Sequence, residues 1–176
     1  MDEEFAKRKI QEWYDLHSDE IYRFIVMLTG DQEIAKDLMH DTFLKSYFSL
    51  QQYQGKLSVK NWLYRIARSI TVDHQRRARP VAFFLREWNV LSVESGNCPQ
   101  KIVELGEMEV HLYTALRKLK HSYKEVIVLR KLKEMSIQET AQVLGWSEAK
   151  VKTTLFRAQL ALKKQLEKEG YVHENV

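Results

Sequence analysis

Cysteine, proline and glycine are scarce in this chain of 176 residues, with one, two and six copies respectively. The lone Cys98 has no second thiol with which to form an intramolecular disulfide or a cysteine-based zinc site, which fits a reducing, cytoplasmic compartment. So few helix breakers, set among apolar residues recurring at three- and four-residue steps, leave little room for a sheet. They predict long helices joined by short turns. There is no uncharged apolar run of about 18 residues. Met1 to Lys9 is acidic and then basic, with no apolar run behind it. The chain is therefore expected to be neither exported nor membrane-spanning.

What the sequence does contain is ample apolar content, 44%, and unevenly distributed charge. The net charge of +4 is built from blocks of alternating sign. Residues 1–40 carry −5, residues 41–79 +6, residues 80–110 −3 and residues 111–176 +6. Two basic surfaces on so short a chain suggest a nucleic-acid binder that grips at two places.

The first helical signal is Ile21, Phe24, Ile25 and Leu28 on one face, closed by Gly30. Asp31 is placed to cap the next helix, which turns Ile34, Ala35, Leu38, Thr42 and Phe43 inward and fades near Leu50. Residues 51–56 read as a loop. A third helix from Ser58 to about Ala78 has a stripe of Trp62, Leu63, Ile66, Ala67 and Ile70 and is expected to stop at Pro80. Between Pro80 and Pro99 lies a linker whose apolar stretch, Val81 to Trp88, suits either a partner surface or packing back on a domain.

Beyond the linker, residues 101–120 are expected to be helical, with Leu112, Leu116 and Leu119 inward. Ser122-Tyr123-Lys124-Glu125 and Ser136-Ile137-Gln138-Glu139 both read as capping boxes. The second opens a short helix that Gly145 ends, and Ser147 caps the last helix, whose Val151, Leu155, Ala158 and Leu162 face inward. A short helix, a turn at Gly145 and a second helix make a helix-turn-helix, whose second helix can enter the major groove. Its outward residues are Lys150, Lys152, Thr153, Phe156 and Arg157: cations for phosphates, with short polar and apolar groups for base edges and thymine methyls.

The stretch from Ser136 to Gly145, followed by Ser147 to Ala158, resembles the fourth conserved region of extracytoplasmic-function (ECF) bacterial sigma factors. Two further stretches resemble the same family: Ala35 to Tyr47 its core-binding helix, and Trp62 to Ser69 with Asp73-His74 and Arg76-Arg77 its promoter-melting and minus-ten helix. The resemblance implies an all-α fold of two small helical domains joined by a flexible linker. These are a region 2 bundle at 1–79, the linker at 80–105, and a region 4 helix-turn-helix at 106–176.

The implied function is to bind RNA polymerase core and direct promoter-specific initiation, with no reaction catalysed by the chain itself. Asp37, His40, Asp41 and Tyr47 match positions that dock on the clamp of the largest subunit, and the flap of the second largest subunit is a further partner. Tyr53, Gln54, Lys56, Lys60, Asn61, Arg65 and Arg68 match the surface that captures the minus-ten strand, and the outward residues of the last helix match the minus-thirty-five reader. An anti-sigma factor, often membrane-anchored in the family, is a further expected partner. Neither a cofactor, a metal nor a small-molecule substrate is expected. The chain departs from the family pattern at Val59, Ser69, His40 and Asp41.

Three other readings compete, one of them a purely protein-binding helical adaptor, which overlaps with the main one through the anti-sigma contact. A regulator binding duplex DNA without polymerase leaves the stretch around Trp62 unexplained. A hydrolase finds little support, since the six histidines form no metal-pair spacing and Cys98 has no motif around it.

Overall fold

The computed structural model describes residues 3–87 and 107–170, with 79–87 and 107–110 described by backbone alone. All regular structure among the described residues is helical, and no described helix is long and apolar enough to cross a membrane. The chain divides into two compact units.

The first unit holds α1 (Glu3–Thr29), α2 (Gln32–Ser49) and α3 (Val59–Glu87), with a 3-10 turn at Leu50–Gln52. Ile21, Phe24, Ile25 and Leu28 of α1 are buried, as read from their spacing. The helix itself starts far earlier, because its N-terminal half is studded with charges that hide its periodicity. Charges pair along its surface at helical spacing, Lys7 with Glu3 at 2.6 Å and Arg23 with Asp19 at 3.0 Å, which supports the helix weakly.

Gly30 takes φ 75° and sends its N–H to the Val26 carbonyl at 2.8 Å, ending α1. Asp31 Oδ1 then accepts the Ile34 N–H at 3.0 Å, starting α2 as its side-chain chemistry predicts. Ala35, Leu38, Met39 and Phe43 of α2 and Leu63, Tyr64, Ile66 and Ala67 of α3 are buried in the core. Three buried hydroxyls are satisfied within their own helices: Thr42, Ser46 and Thr71 donate to the carbonyls of Leu38, Thr42 and Ala67 at 2.7, 2.7 and 2.8 Å. Gln75 Nε2 donates to the Leu28 carbonyl at 3.1 Å and so ties α3 to the end of α1.

Pro80 does not stop α3, which runs on to Glu87. A proline inside a helix costs about 3 kcal/mol through a missing N–H and a ring clash, but Ala78, Arg79, Ala82, Leu85 and Arg86 around it are strong helix formers. The expected linker therefore begins with helical backbone from Val81 to Glu87, while its remainder, 88–106, lies outside the described residues.

The second unit holds α4 (Glu107–Arg117), α5 (His121–Ile127, prolonged by a π turn at Val128–Leu132), the first turn of α6 (Ile137–Leu144) and α7 (Glu148–Lys168). Its core is made by Tyr113, Ala115 and Leu116, the run Val126 to Leu129, Met135, Val151 and Ala158. Leu112 and Leu119, expected inside, are only half-buried. The capping box read at Ser122 is not formed. Helix α5 starts two residues earlier, behind Lys120, with no side-chain cap, and the Glu125 carboxylate is buried 3.1 Å from His121 Nε2 instead of reaching back to the backbone.

The box at Ser136 is complete: Ser136 Oγ accepts the Glu139 N–H at 3.1 Å and Glu139 Oε2 accepts the Ser136 N–H at 2.8 Å.

Candidate nucleic-acid interfaces

The sharpest surface is the outer face of α7. Gly145 adopts φ 67°, which turns the chain out of α6, and Ser147 Oγ accepts the Lys150 N–H at 3.2 Å to begin α7. Val151 and Ala158 are fully buried beneath the helix, while Leu155 and Leu162 are half-buried. That anchoring leaves Lys150, Lys152, Thr153, Phe156 and Arg157 all exposed, with Phe156 64% exposed. An exposed phenylalanine among cations is a poor choice for solvent and a good one for a groove that offers thymine methyls beside phosphates.

In the first unit the loop from Tyr53 to Ser58 is held from inside. The Tyr53 hydroxyl donates to the Leu57 carbonyl at 2.6 Å, and its ring lies 4.7 Å from Trp62 and 5.8 Å from Trp13. Trp13 in turn meets Trp62 edge-on at 5.9 Å. Trp62 is thus half-buried in an aromatic cluster and Tyr53 is a brace of the loop. Gln54 and Lys56 are exposed at its tip, on either side of Gly55 with φ 69°.

Lys60 is tied to Glu20 at 3.1 Å. Asn61, expected on the strand-facing surface, is only 4% exposed, so it is a core group of the free chain. Arg65 is exposed and Arg68 half-buried, and Arg76 and Arg77 are exposed further along α3. Tyr64, which sequence reading passed over, is 1% exposed and packs edge-on against Phe24 at 4.9 Å. Its burial, with a smaller effect from Glu20, pushes the phenol far above its ordinary range.

On α2, Asp37, His40 and Asp41 are exposed and Tyr47 is half-buried. His40 lies parallel to the Tyr14 ring, with centroids 6.3 Å apart, and its Nε2 is 3.4 Å from the Tyr14 hydroxyl. The same helix carries two residues that sequence reading missed, Leu44 at 55% exposure and Phe48 at 73%. Their signal was present: they stand four residues apart, out of register with the stripe of Ala35, Leu38, Thr42 and Phe43. A helix that buries one apolar face and exposes a second, bordered by Asp37 and Asp41, has the form of a docking surface.

Residues 13–81 match the family described as Sigma-70 region 2, and residues 110–162 match Sigma-70, region 4. The chain is 35% identical over 160 residues to RNA polymerase sigma factor YlaC of Bacillus subtilis (strain 168), covering 90% of this chain and 92% of that one. It is 30% identical to the ECF RNA polymerase sigma factor SigM of the same organism, covering 88% and 93%. The chain belongs to the ECF RNA polymerase sigma factors.

The fold agrees. The sigma factor RpoE from Bartonella quintana, solved with the anti-sigma factor NepR, superposes with a TM-score of 0.71 at 19% identity, covering 91% of this chain and 98% of that one. CnrH, solved with the cytosolic domain of CnrY, superposes with a TM-score of 0.66 at 23% identity, covering 92% and 89%. Both share the fold of this sigma factor. The region 2 match spans most of α1 to α3, and the region 4 match takes in α6 and most of α7. As a sigma factor the chain directs transcription initiation, and a regulator acting without polymerase is disfavoured because the region 2 match would then have no role.

Proposed function

We propose that this sigma factor divides promoter recognition among three surfaces, with no chemical step of its own and no cofactor. On α2, Asp37, His40 and Asp41 engage a basic surface of the polymerase clamp, flanked by Tyr47 and by the exposed Leu44 and Phe48. Gln54 and Lys56 at the loop tip, with Lys60, Arg65 and Arg68 on α3, take up the unpaired minus-ten strand. Lys150, Lys152, Thr153, Phe156 and Arg157 read the minus-thirty-five duplex, while region 4 also meets the flap of the second largest subunit.

Melting in this scheme is a population shift. A surface that binds the single strand and not the duplex moves the opening equilibrium by that difference in affinity, so no nucleotide hydrolysis is needed. Cations follow the backbone, and polar loop groups read an extruded base. The Lys60–Glu20 pair is exposed enough to exchange for a phosphate at little cost, since surface ion pairs contribute only ~0–1 kcal/mol.

The observation that carries this reading is the outer face of α7, where five DNA-competent side chains stand exposed over a fully buried Val151 and Ala158. Control by an anti-sigma factor fits as well: the structural neighbour RpoE was solved with such a partner, and Phe48 and Leu44 offer a partner apolar surface. Action in the cytoplasm, where polymerase resides, follows from the same reading. A mobility-shift assay on a promoter fragment with and without core polymerase tests it. Specific retardation is expected only with core, and equal retardation by the sigma factor alone would overturn the reading.

A further inference from the structure

Trp146 occupies the turn of the helix-turn-helix, between Gly145 in the left-handed conformation and the N-cap Ser147. Its N–H donates to the Ala141 carbonyl at 3.0 Å, which fixes its backbone, and the side chain is half-buried. One helical turn on, the Lys150 ammonium lies over the indole, 4.4 Å from the ring centroid. Lys150 occupies the third position of α7, where the positive end of the helix dipole disfavours a cation. Among the described residues Lys152 and Arg157 show no such contact, so Lys150 alone of the three outward cations is held by a ring.

A lysine placed where the helix disfavours it, and fixed there by an aromatic face, is poorly explained by stability of the helix. The arrangement does suit a phosphate. The ring takes one side of the ammonium and leaves N–H donors pointing away from it. A lysine also loses much side-chain freedom when it settles on a phosphate, and a pre-ordered one loses less.

We propose that Trp146 is a positioning residue for promoter recognition, holding Lys150 at the leading end of α7 for one phosphate of the minus-thirty-five duplex. This rests on the reading that α7 engages that duplex. Trp146 acts through Lys150, and the indole itself need not touch DNA. The exposed cation–π contact sets the expected effect at about two- to five-fold in affinity.

The test measures binding of holoenzyme to a linear promoter fragment across a series of salt concentrations, with the wild type, Trp146→Ala, Trp146→Phe, Lys150→Ala and the Trp146→Ala/Lys150→Ala pair. Lys150→Ala is expected to weaken binding and lower the salt slope by about 0.9, the value for one phosphate contact. Trp146→Ala is expected to weaken binding about two- to five-fold when Lys150 is present. It should have no further effect once Lys150 is gone, and Trp146→Phe should restore most of the loss. An unchanged slope in Lys150→Ala overturns the proposal. So does a Trp146→Ala effect that persists in the Lys150→Ala background, because it would mark the tryptophan as a packing residue only.

Lys152→Ala and Arg157→Ala separate the two readings. If they weaken binding while Lys150→Ala does not, the positioning role alone falls. If none of the three does, α7 is not the reader and both readings fall.

Discussion

The Tyr53 hydroxyl donates to the carbonyl of Leu57 at 2.6 Å, closing across the loop that leads into α3. With its ring against Trp62 and Trp13, this bond shapes the segment carrying Gln54 and Lys56. Tyr53→Phe keeps the ring and removes the bond, which is worth about 1 kcal/mol. Open-complex formation is expected to fall roughly five-fold, with binding to core polymerase unchanged. Permanganate reactivity of unpaired thymines across the minus-ten element reads the first quantity and a core-binding titration the second.

Phe48, 73% exposed, and Leu44, 55% exposed, have little to lose from truncation in the free chain. Phe48→Ala and Leu44→Ala are expected to change the unfolding free energy by no more than about 0.5 kcal/mol. If they are anchors of the polymerase contact, each should weaken core binding by more than 1 kcal/mol, roughly five-fold or greater. Thermal unfolding beside a fluorescence-anisotropy titration with core separates the two effects.

Gly145 has open space where a Cβ would stand, yet its φ of 67° is a conformation side chains rarely adopt. Gly145→Ala is therefore expected to cost about 1–2 kcal/mol through backbone strain alone. For a unit of this size that lowers the melting temperature by about 4–8 °C per kcal/mol. Differential scanning calorimetry of the whole chain measures it.

The Glu169 carboxylate accepts from Lys118 Nζ at 2.7 Å and from Gln165 Nε2 at 2.8 Å, and these bonds hold its pKa below the ordinary 4.5. A carboxyl with a lowered folded pKa contributes stability above about 4.5, and loses it as pH falls through the folded value. Glu169→Gln should then be less stable than the wild type at neutral pH, by no more than about 1 kcal/mol for so exposed a pair. The difference should vanish in acid. Urea unfolding at a series of pH values checks the sign.

The features legible in the sequence were those written in a few adjacent residues. Asp31, Ser136 and Ser147 cap their helices, and Gly30 and Gly145 end theirs, because cap and stop chemistry acts within one turn. The outward face of α7 was legible too, since Val151 and Ala158 fix which side is buried. What stayed hidden depends on partners distant in sequence. Asn61 is polar but faces inward, and Tyr64 is buried because Phe24 of α1 packs against it. Glu125 has the spacing of a capping box and is instead buried beside His121. Pro80 is a local stop signal outweighed by its helix-forming neighbours.

The central claim is that separate surfaces hold the polymerase and read the promoter. One pair of charge reversals measured in a single reconstituted system tests it: Asp37→Lys/Asp41→Lys against Lys152→Glu/Arg157→Glu, each scored for core binding and for transcripts from a cognate promoter. The first pair is expected to lose core binding, and transcription with it. The second is expected to keep core binding and lose transcripts. Loss of core binding by the α7 pair with the fold intact, or full transcription by either pair, would contradict the account.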